Sequence, residues 1–497
     1  MRVTIASRRS DLARIQAYHV GEALQSAHPQ IEINYSFHES LGDRNQNDPL
    51  WQMPEKGVFT QDFREGLLRG DYDLVVHSWK DLAIEKDPET EVAATLPRGD
   101  ARDLLLARED RWSEVERSGV MSIFTSSPRR GYNLDSFLRE ALPAKLRELN
   151  FVNVRGNVPT RVRKLLQSET DGLVVAKAAL DRLLDAKQSE FAATQQELRN
   201  ALSRCRWMVL PLRENPAAPA QGALAIEILR RRIDLCELLA PLNCADTFAS
   251  VTREREILRG YGGGCHQKIG ASVLRRPYGE ITLLRGLTDD GEALDECSLN
   301  SSKPRPLRIS RDHLWPLTSS DADWFTREAI PVKPAAEPSA LWIAKADALP
   351  DDWPLCPRQV VWVSGMKTWK RLAQRGVWVS GSAESLGEQE PPNIGALVGR
   401  DLAWLKLTHA AGYDEGSLST VATYRLVPRN GHMDLKGKTY FFWKSGSIFE
   451  HALSLNPWIS SMTHFCGPGN TQRILERNGV QPYVFLDHAQ WLKEMSE

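Results

Sequence analysis

The chain has 497 residues, more than one hydrophobic core organises at roughly 100–200 residues per domain, so a single compact domain is excluded. An apolar fraction of 42%, a charged fraction of 26% and ordinary counts of Gly (33) and Pro (28) exclude collagen-like, coiled-coil and low-complexity classes. Lys and Arg total 63 against 64 Asp and Glu, a formal charge of -1, so no global basic field exists to hold a nucleic-acid backbone and any anion site must be local.

Val3–Ala6 reads as a strand entered at once, with Arg8 and Arg9 where a signal peptide would carry its apolar region. No stretch approaches the roughly 20 apolar residues of a membrane span, so a cytoplasmic chain without a membrane partner is expected. Ser10 is placed as the N-cap of a helix whose apolar positions Leu12, Ile15, Val20 and Leu24 share one face. An α/β alternation continues through the strand Ile31–Phe37, the helix Gln61–Leu68, the strands Leu74–His77, Met121–Phe124 and Phe151–Val154, the helix Pro159–Gln167 and the strand Gly172–Ala176. After Cys265, Lys268–Val273 and Glu280–Leu284 read as strands of a small α+β unit. Prolines and weak periodicity place the main linker within 300–338. Beyond it lies an internal repeat: Thr368 and Thr471, each after a Gly-rich turn and an apolar strand (Val360–Val363, Thr463–Cys466), are each followed by Leu four residues on and Gly eight residues on. Each copy reads as strand, turn, Thr-capped helix and terminal Gly, which implies two similar α/β lobes.

Three strand-to-helix junctions carry arginines: Arg8 and Arg9; Arg129 and Arg130 after Thr125-Ser126-Ser127; and Arg155 and Arg161 around Gly156-Asn157-Val158-Pro159-Thr160. A helix N-terminus favours anions through its free N–H groups and dipole, and guanidinium adds bidentate carboxylate recognition, so three such places imply a ligand with many negative charges. Taken singly, each is an ordinary surface arginine. Asp81 ends Val75-Val76-His77-Ser78-Trp79-Lys80-Asp81, in the region where open α/β sheets bind ligands. A carboxylate there stabilises a developing cation or moves a proton; the bland alternative is a helix cap. Lys80 can pair with Asp81 or with a substrate acid, and His77 reads as strand-end packing. Cys265 follows Gly262-Gly263-Gly264, which lets a large group approach the thiol, and His266 or Lys268 favours the thiolate. The seven cysteines are odd in number and lack CxxC spacing, arguing against disulfides and a zinc site, and no metal is expected.

In chain order, Ile5-Ala6-Ser7-Arg8-Arg9-Ser10, Gly42-Asp43, Lys56-Gly57-Val58-Phe59, the segment ending at Asp81, Leu96-Pro97-Arg98 with Arg102-Asp103, Thr125-Ser126-Ser127-Pro128-Arg129-Arg130, Arg155-Gly156-Asn157-Val158 with Thr160-Arg161, Ala220-Gln221-Gly222-Ala223 and Gly263-Gly264-Cys265 cover about residues 1–300. This set resembles the hydroxymethylbilane synthases, also called porphobilinogen deaminases. The resemblance implies two periplasmic-binding-protein-like lobes, 1–98 with 207–228 and 99–206, and a small α+β domain, 229–300, bearing the cofactor cysteine. It implies a monomer that carries dipyrromethane as a thioether on Cys265 and joins four porphobilinogens head to tail with loss of ammonia. By the same resemblance Asp81 is the catalytic carboxylate, with Lys80 beside it. Arg8, Ser10, Lys80, Ser126, Ser127, Arg129, Arg130, Arg155 and Gly156 take cofactor-binding places, and Arg8, Lys56, Phe59, Arg155, Arg161 and Gln221 substrate-binding ones. A growing oligopyrrole with two carboxylates per ring matches the polyanion the arginines call for, and Asp81 can stabilise its cationic intermediates. The chain departs from the family at Asp11, Ala83 and Pro128, none of which removes a polar group from the chemistry.

Past a linker at 301–335, residues 336–497 resemble uroporphyrinogen III synthase, a two-lobed α/β fold, through Trp362-Val363-Ser364-Gly365-Met366-Lys367-Thr368, Val421-Ala422-Thr423-Tyr424-Arg425, Phe441-Phe442-Trp443-Lys444-Ser445-Gly446 and Gly467-Pro468-Gly469-Asn470-Thr471. Tyr424 falls where that family has a tyrosine implicated in its reaction, closure of a linear tetrapyrrole with inversion of the last ring. The segment is shorter than a usual member, so a structural or docking module is the alternative. For the whole chain, the rival is a non-catalytic polyanion receptor on the same lobes, which would need neither Cys265 nor Asp81.

Overall fold

The computed structural model describes residues 1–39, 61–85, 87–263, 267–318, 324–332, 339–410, 412, 418–429 and 433–497. Lys56, Phe59, Cys265 and the Gly42-Asp43 motif lie outside the described residues. The first lobe holds β1 (Arg2–Arg8), β2 (Glu32–His38), β3 (Leu74–Ser78) and β4 (Thr90–Ala94). The second holds β5 (Asp103–Arg108), β6 (Val120–Phe124), β7 (Glu148–Val152), β8 (Gly172–Ala176) and β9 (Cys205–Leu210), after which β10 (Leu224–Leu229) returns to the first. The sheet orders are β2-β1-β3-β10-β4 and β7-β6-β8-β5-β9. In each, a parallel trio is followed by one antiparallel strand from a chain crossing and then by a fifth strand antiparallel to that one, so the lobes share one topology, as expected of periplasmic-binding-protein-like lobes. The continuous apolar runs of β3, β5 and β8 follow from burial on both faces.

The expected return to the first lobe at 207 falls inside β9, which pairs with β5 along Cys205–Leu210. The chain crosses back only after Leu210, because Met208, Val209 and Leu210 are buried in the second lobe. β7 likewise ends at Val152, short of the expected Val154. A third unit packs the helix Ala245–Gly260 against an antiparallel sheet of β11 (Gly270–Arg276), β12 (Gly279–Leu287) and β13 (Ala293–Ser301).

The C-terminal half has two sheets built from β14 (Leu314–Trp315), β15 (Phe325–Ala329), β16 (Ala340–Ile343), β17 (Val360–Val363), β18 (Gly381–Ser382), β19 (Trp404–His409), β20 (Ser419–Pro428), β21 (Tyr440–Trp443), β22 (Thr463–Cys466) and β23 (Tyr483–Val484), ordered β15-β20-β19-β16-β17-β18 and β14-β21-β22-β23. The segment 301–335, expected to be linker, thus contributes β14 and β15. A two-residue strand is too short to register as periodicity, although Leu314 and Trp315 are buried. In the repeat, the helices Met366–Gln374 and Asn470–Arg477 begin after Gly365 and Gly469, so Thr368 and Thr471 lie inside the first turn and cap neither helix. Their C-terminal ends match. Gly376 and Gly479 take φ of 80° and 77°, and Val377 and Val480 each donate N–H to the buried Leu372 or Leu475 carbonyl at 3.0 Å.

The two halves share a core. The edge strand β9 meets the C-terminal chain where Val209 N–H donates to the Ser380 carbonyl (2.8 Å), while Ser380 N–H donates to Val361 (2.8 Å). This contact covers an edge that would otherwise offer unpaired backbone groups. On one side Leu105, Met121, Phe137 and Met208 pack with Leu341, Val361 and Trp369; on the other Leu104 and Val209 pack with Trp342 and Trp362. Trp369 Nε1 donates to Ala141 O (3.1 Å) and Trp378 Nε1 to Trp207 O (2.9 Å). No helix among the described residues is long and apolar enough to cross a membrane.

Candidate active site

Asp103 opens β5 where the first chain crossing ends, and it is fully buried. Its oxygens accept from Arg129 Nη2 (2.8 Å), Arg130 Nη2 (2.6 Å) and Nε (3.0 Å), Asn215 Nδ2 (2.9 Å) and Gln221 Nε2 (2.8 Å). Burial alone would raise its pKa; the Arg130 and Arg129 guanidiniums outweigh that and hold the carboxyl well below the usual range. Arg129 also donates through Nη1 to Asn215 Oδ1 (2.9 Å) and Pro216 O (2.6 Å), so both of its terminal nitrogens are engaged inside the fold, while its buried Nε has no partner among the described residues. Arg130 Nη1 reaches Val174 O (3.2 Å).

Both arginines sit in the first turn of the helix Pro128–Ala141. Ser127 Oγ accepts from Arg130 N–H, and Pro128 takes the first helical position, where its missing N–H costs nothing, which accounts for that departure. Asp11 likewise gains a partner, accepting from Thr194 Oγ1 of the distant helix Ala192–Leu202 at 2.7 Å. Ser126 Oγ bonds the Val154 carbonyl, linking this turn to the one carrying Arg155. There Gly156 adopts φ 109°, and a Cβ would lie 2.7 Å from Thr160 Cγ2, so the tight turn requires glycine. Asn157 Oδ1 caps the next helix by accepting from Thr160 N–H (2.9 Å), and Arg161 Nε donates to Gly156 O (2.7 Å). Burial lowers the Arg161 pKa to about 10, with Arg130 and Arg155 adding to the effect and Asp81 opposing it.

From the first lobe, the single turn Trp79–Asp81 follows β3. Buried Trp79 anchors it, donating N–H to Ala223 O (3.0 Å), and Arg255 donates to the carbonyls of Leu82 (3.1 Å) and Ala83. Lys80, half-buried, donates to Gln221 Oε1 (3.3 Å); burial, partly offset by Asp81, lowers its pKa. Asp81 is exposed, and among the described residues no helix follows it before β4, so the helix-cap alternative has nothing to cap. His77 is strand-end packing, bonded through Nε2 to the buried Glu227 (2.8 Å). Ser10 occupies the N-cap position of the helix Asp11–Ala27 without a side-chain cap bond, and Arg8 ends β1 opposite His38.

The structure therefore gathers Lys80, Gln221, Arg129 and Arg130 around Asp103, with Asp81 acting electrostatically on Lys80 and on Arg161, and Arg130 and Arg155 acting on Arg161. Tyr424 belongs to another neighbourhood: it is buried on β20, with its ring centroid 5.8 Å from that of His409 and 6.0 Å from the Arg327 guanidinium. Sequence reasoning gave no role to Asn215, or to Glu254, which is fully buried, pairs with Arg98 (2.7 and 2.9 Å) and accepts from Ala220 N–H (2.8 Å) and Val273 N–H (2.9 Å). The available signal was a carboxylate at helical spacing from Thr247, Ser250, Val251 and Leu258, all on the buried face. Lys80 and the arginines 129, 130, 155 and 161 outnumber the carboxylates Asp81 and Asp103, a donor set that fits a group bearing several carboxylates.

The family described as "Porphobilinogen deaminase, dipyromethane cofactor binding domain" matches residues 3–237. The porphobilinogen deaminase of Clostridium novyi is 32% identical over 295 residues, covering 59% of this chain and 91% of the relative. That of Bordetella parapertussis is 32% identical over 336 residues (67% and 98%), and that of Roseiflexus 35% over 284 residues (57% and 84%). With nearly the whole length of such relatives matched, and with two lobes of shared topology whose chains meet at the Asp103 cluster, this chain belongs to the porphobilinogen deaminase family, whose cofactor is dipyrromethane.

Proposed function

We propose that this chain is a hydroxymethylbilane synthase, joining four porphobilinogens head to tail with loss of ammonia on a dipyrromethane carried by Cys265. The observation that supports the reading is the Asp103 cluster, where Arg129 and Arg130 of the second lobe meet Gln221, the partner of Lys80 from the first lobe, with the exposed carboxylate of Asp81 next to Lys80 in the chain. Arg8, Arg155 and Arg161, with Ser10, Ser126, Ser127, Gly156 and the N-termini of the helices at Pro128 and Val158, bind acetate and propionate groups. Arg129 and Arg130 supply positive field from fixed positions rather than swinging to the ligand, because Asp103 holds them. Bound dipyrromethane supplies the nucleophilic pyrrole carbon on which the chain grows. Asp81 stabilises the positive charge that develops on porphobilinogen as ammonia leaves, and Lys80, kept in place by Gln221, neutralises a substrate carboxylate next to it. Lys56 and Phe59, outside the described residues, and Gln221 keep the porphobilinogen-binding roles that the family resemblance implies.

For the C-terminal half, two α/β sheets of unequal size whose repeat helices end alike support cyclisation of the linear product to uroporphyrinogen III, with Tyr424 assisting. A structural role is the second reading, favoured by the burial of Tyr424 and by the core shared with the second lobe. One preparation of purified full-length protein tests both. Its intact mass should exceed that of the chain by two porphobilinogens less their ammonia, and Cys265→Ser should lack the adduct; an active wild-type chain without it overturns the synthase reading. Type III product from porphobilinogen supports cyclisation, and type I alone supports the structural role.

A further inference from the structure

Two chain crossings connect the lobes, between β4 and β5 and between β9 and β10. The second opens with one helical turn in which Glu214 N–H (3.2 Å) and Asn215 N–H (2.9 Å) both donate to Pro211 O. The leading N–H groups of such a turn have no partner within it. They are met by the C-terminal domain: the Glu384 carboxylate accepts from Leu212 N–H (3.0 Å) and Arg213 N–H (2.8 Å). At the other end of the same turn, Asn215 bonds both Asp103 and Arg129. The first crossing is held by the same C-terminal loop. Arg102, one residue before Asp103, donates to Pro392 O (2.9 Å), and Lys177 donates to Asn393 O. Glu390 pairs with Arg276 of the third unit (2.5 and 2.7 Å).

The loop is bent to make these contacts. Glu384, Ser385 and Asn393 adopt φ of 53°, 63° and 52°, left-handed values that non-glycine residues take at an energetic cost, and such outliers persist where surrounding contacts hold them. We propose that Glu384 is a positioning residue of the deaminase site, supplied by the C-terminal domain: by capping the turn Pro211–Asn215 it aims Asn215 at Asp103 and Arg129. This rests on the reading of the Asp103 cluster as the deaminase site. The route is Glu384 to turn, turn to Asn215, and Asn215 to the arginine pair, so the C-terminal half serves the first reaction whether or not it catalyses a second.

The test uses full-length protein and steady-state consumption of porphobilinogen. Glu384→Ala removes both acceptors and should lower kcat about tenfold with KM within twofold of wild type, while the mass adduct is retained. Glu384→Gln keeps one carbonyl acceptor and should fall between the two. Because Glu384 acts through Asn215, the same substitutions in an Asn215→Ala background should change kcat less than twofold. Unchanged kcat in both Glu384 variants, or losses that simply multiply with that of Asn215→Ala, overturns the proposal. If Glu384→Ala does not fold, Glu384→Gln and its Asn215→Ala cycle decide alone. Asp81→Asn, assayed in parallel, separates the failures: normal Asp81→Asn turnover overturns the site reading, whereas slow Asp81→Asn with normal Glu384 variants overturns only this inference.

Discussion

Asp103→Asn is the sharpest test of how the site is assembled. The asparagine has the aspartate's shape but one carbonyl oxygen and an NH2 in place of two acceptors. If the carbonyl replaces Oδ2, which serves Arg129 Nη2, Arg130 Nε and Asn215 Nδ2, the NH2 faces Arg130 Nη2 and Gln221 Nε2, donor against donor. The opposite orientation is worse, since three donors then confront the NH2. Both guanidiniums are more than nine-tenths buried, Arg129 at 3% and Arg130 at 6% exposure, and lose their common counter-charge. Removing one partner of a buried ion pair costs about 3–5 kcal/mol, and this site lies in that range. Urea unfolding followed by tryptophan fluorescence should show that loss in the transition of the second lobe. The adduct mass of the purified variant should fall or vanish, as the arginine pair no longer holds its place. A loss below about 1 kcal/mol with a normal adduct would refute the account, since the guanidiniums would then be balanced by something other than Asp103.

Asp81→Asn should lower porphobilinogen turnover by at least about a hundredfold, the scale of a removed electrostatic stabiliser, with an unchanged unfolding transition because Asp81 is exposed; near-normal turnover would leave it an ordinary surface carboxylate. Glu227 should make the first lobe acid-sensitive. Burial would raise its pKa from 4.5, but bonds from His77, Thr90 and Arg64 outweigh that and bring it to about 2. A carboxyl depressed on folding contributes its stability above the unfolded value and loses it as pH falls toward the folded one, so about 3 kcal/mol should disappear between pH 4.5 and 2. Urea midpoints across that window should fall more steeply for wild type than for Glu227→Gln, and parallel slopes would contradict the assignment.

The sequence by itself determined the local elements and the chemical inventory. Leu74-Val75-Val76 can only be a strand buried on both faces, the helix starting at Pro128 is announced by a Ser cap and a proline at its first position, and the two terminal glycines of the repeat mark helix ends that require positive φ. These are preferences of residues within a few positions of one another. The deaminase motifs were legible for a related reason: Lys80 and Asp81 share one short turn, and Arg155 and Arg161 flank the start of one helix, so their spacing survives in the linear chain. Only the tertiary structure decided which charges meet. Asp103 joins residues 26, 27, 112 and 118 positions away, and that convergence depends on two crossings whose geometry is set by sheet order. Tertiary packing also turned an expected linker into strands, buried Tyr424 and seated Glu384 on a turn 171 and 172 residues upstream. Burial and pairing between distant segments depend on the whole chain's packing, so no local pattern records them.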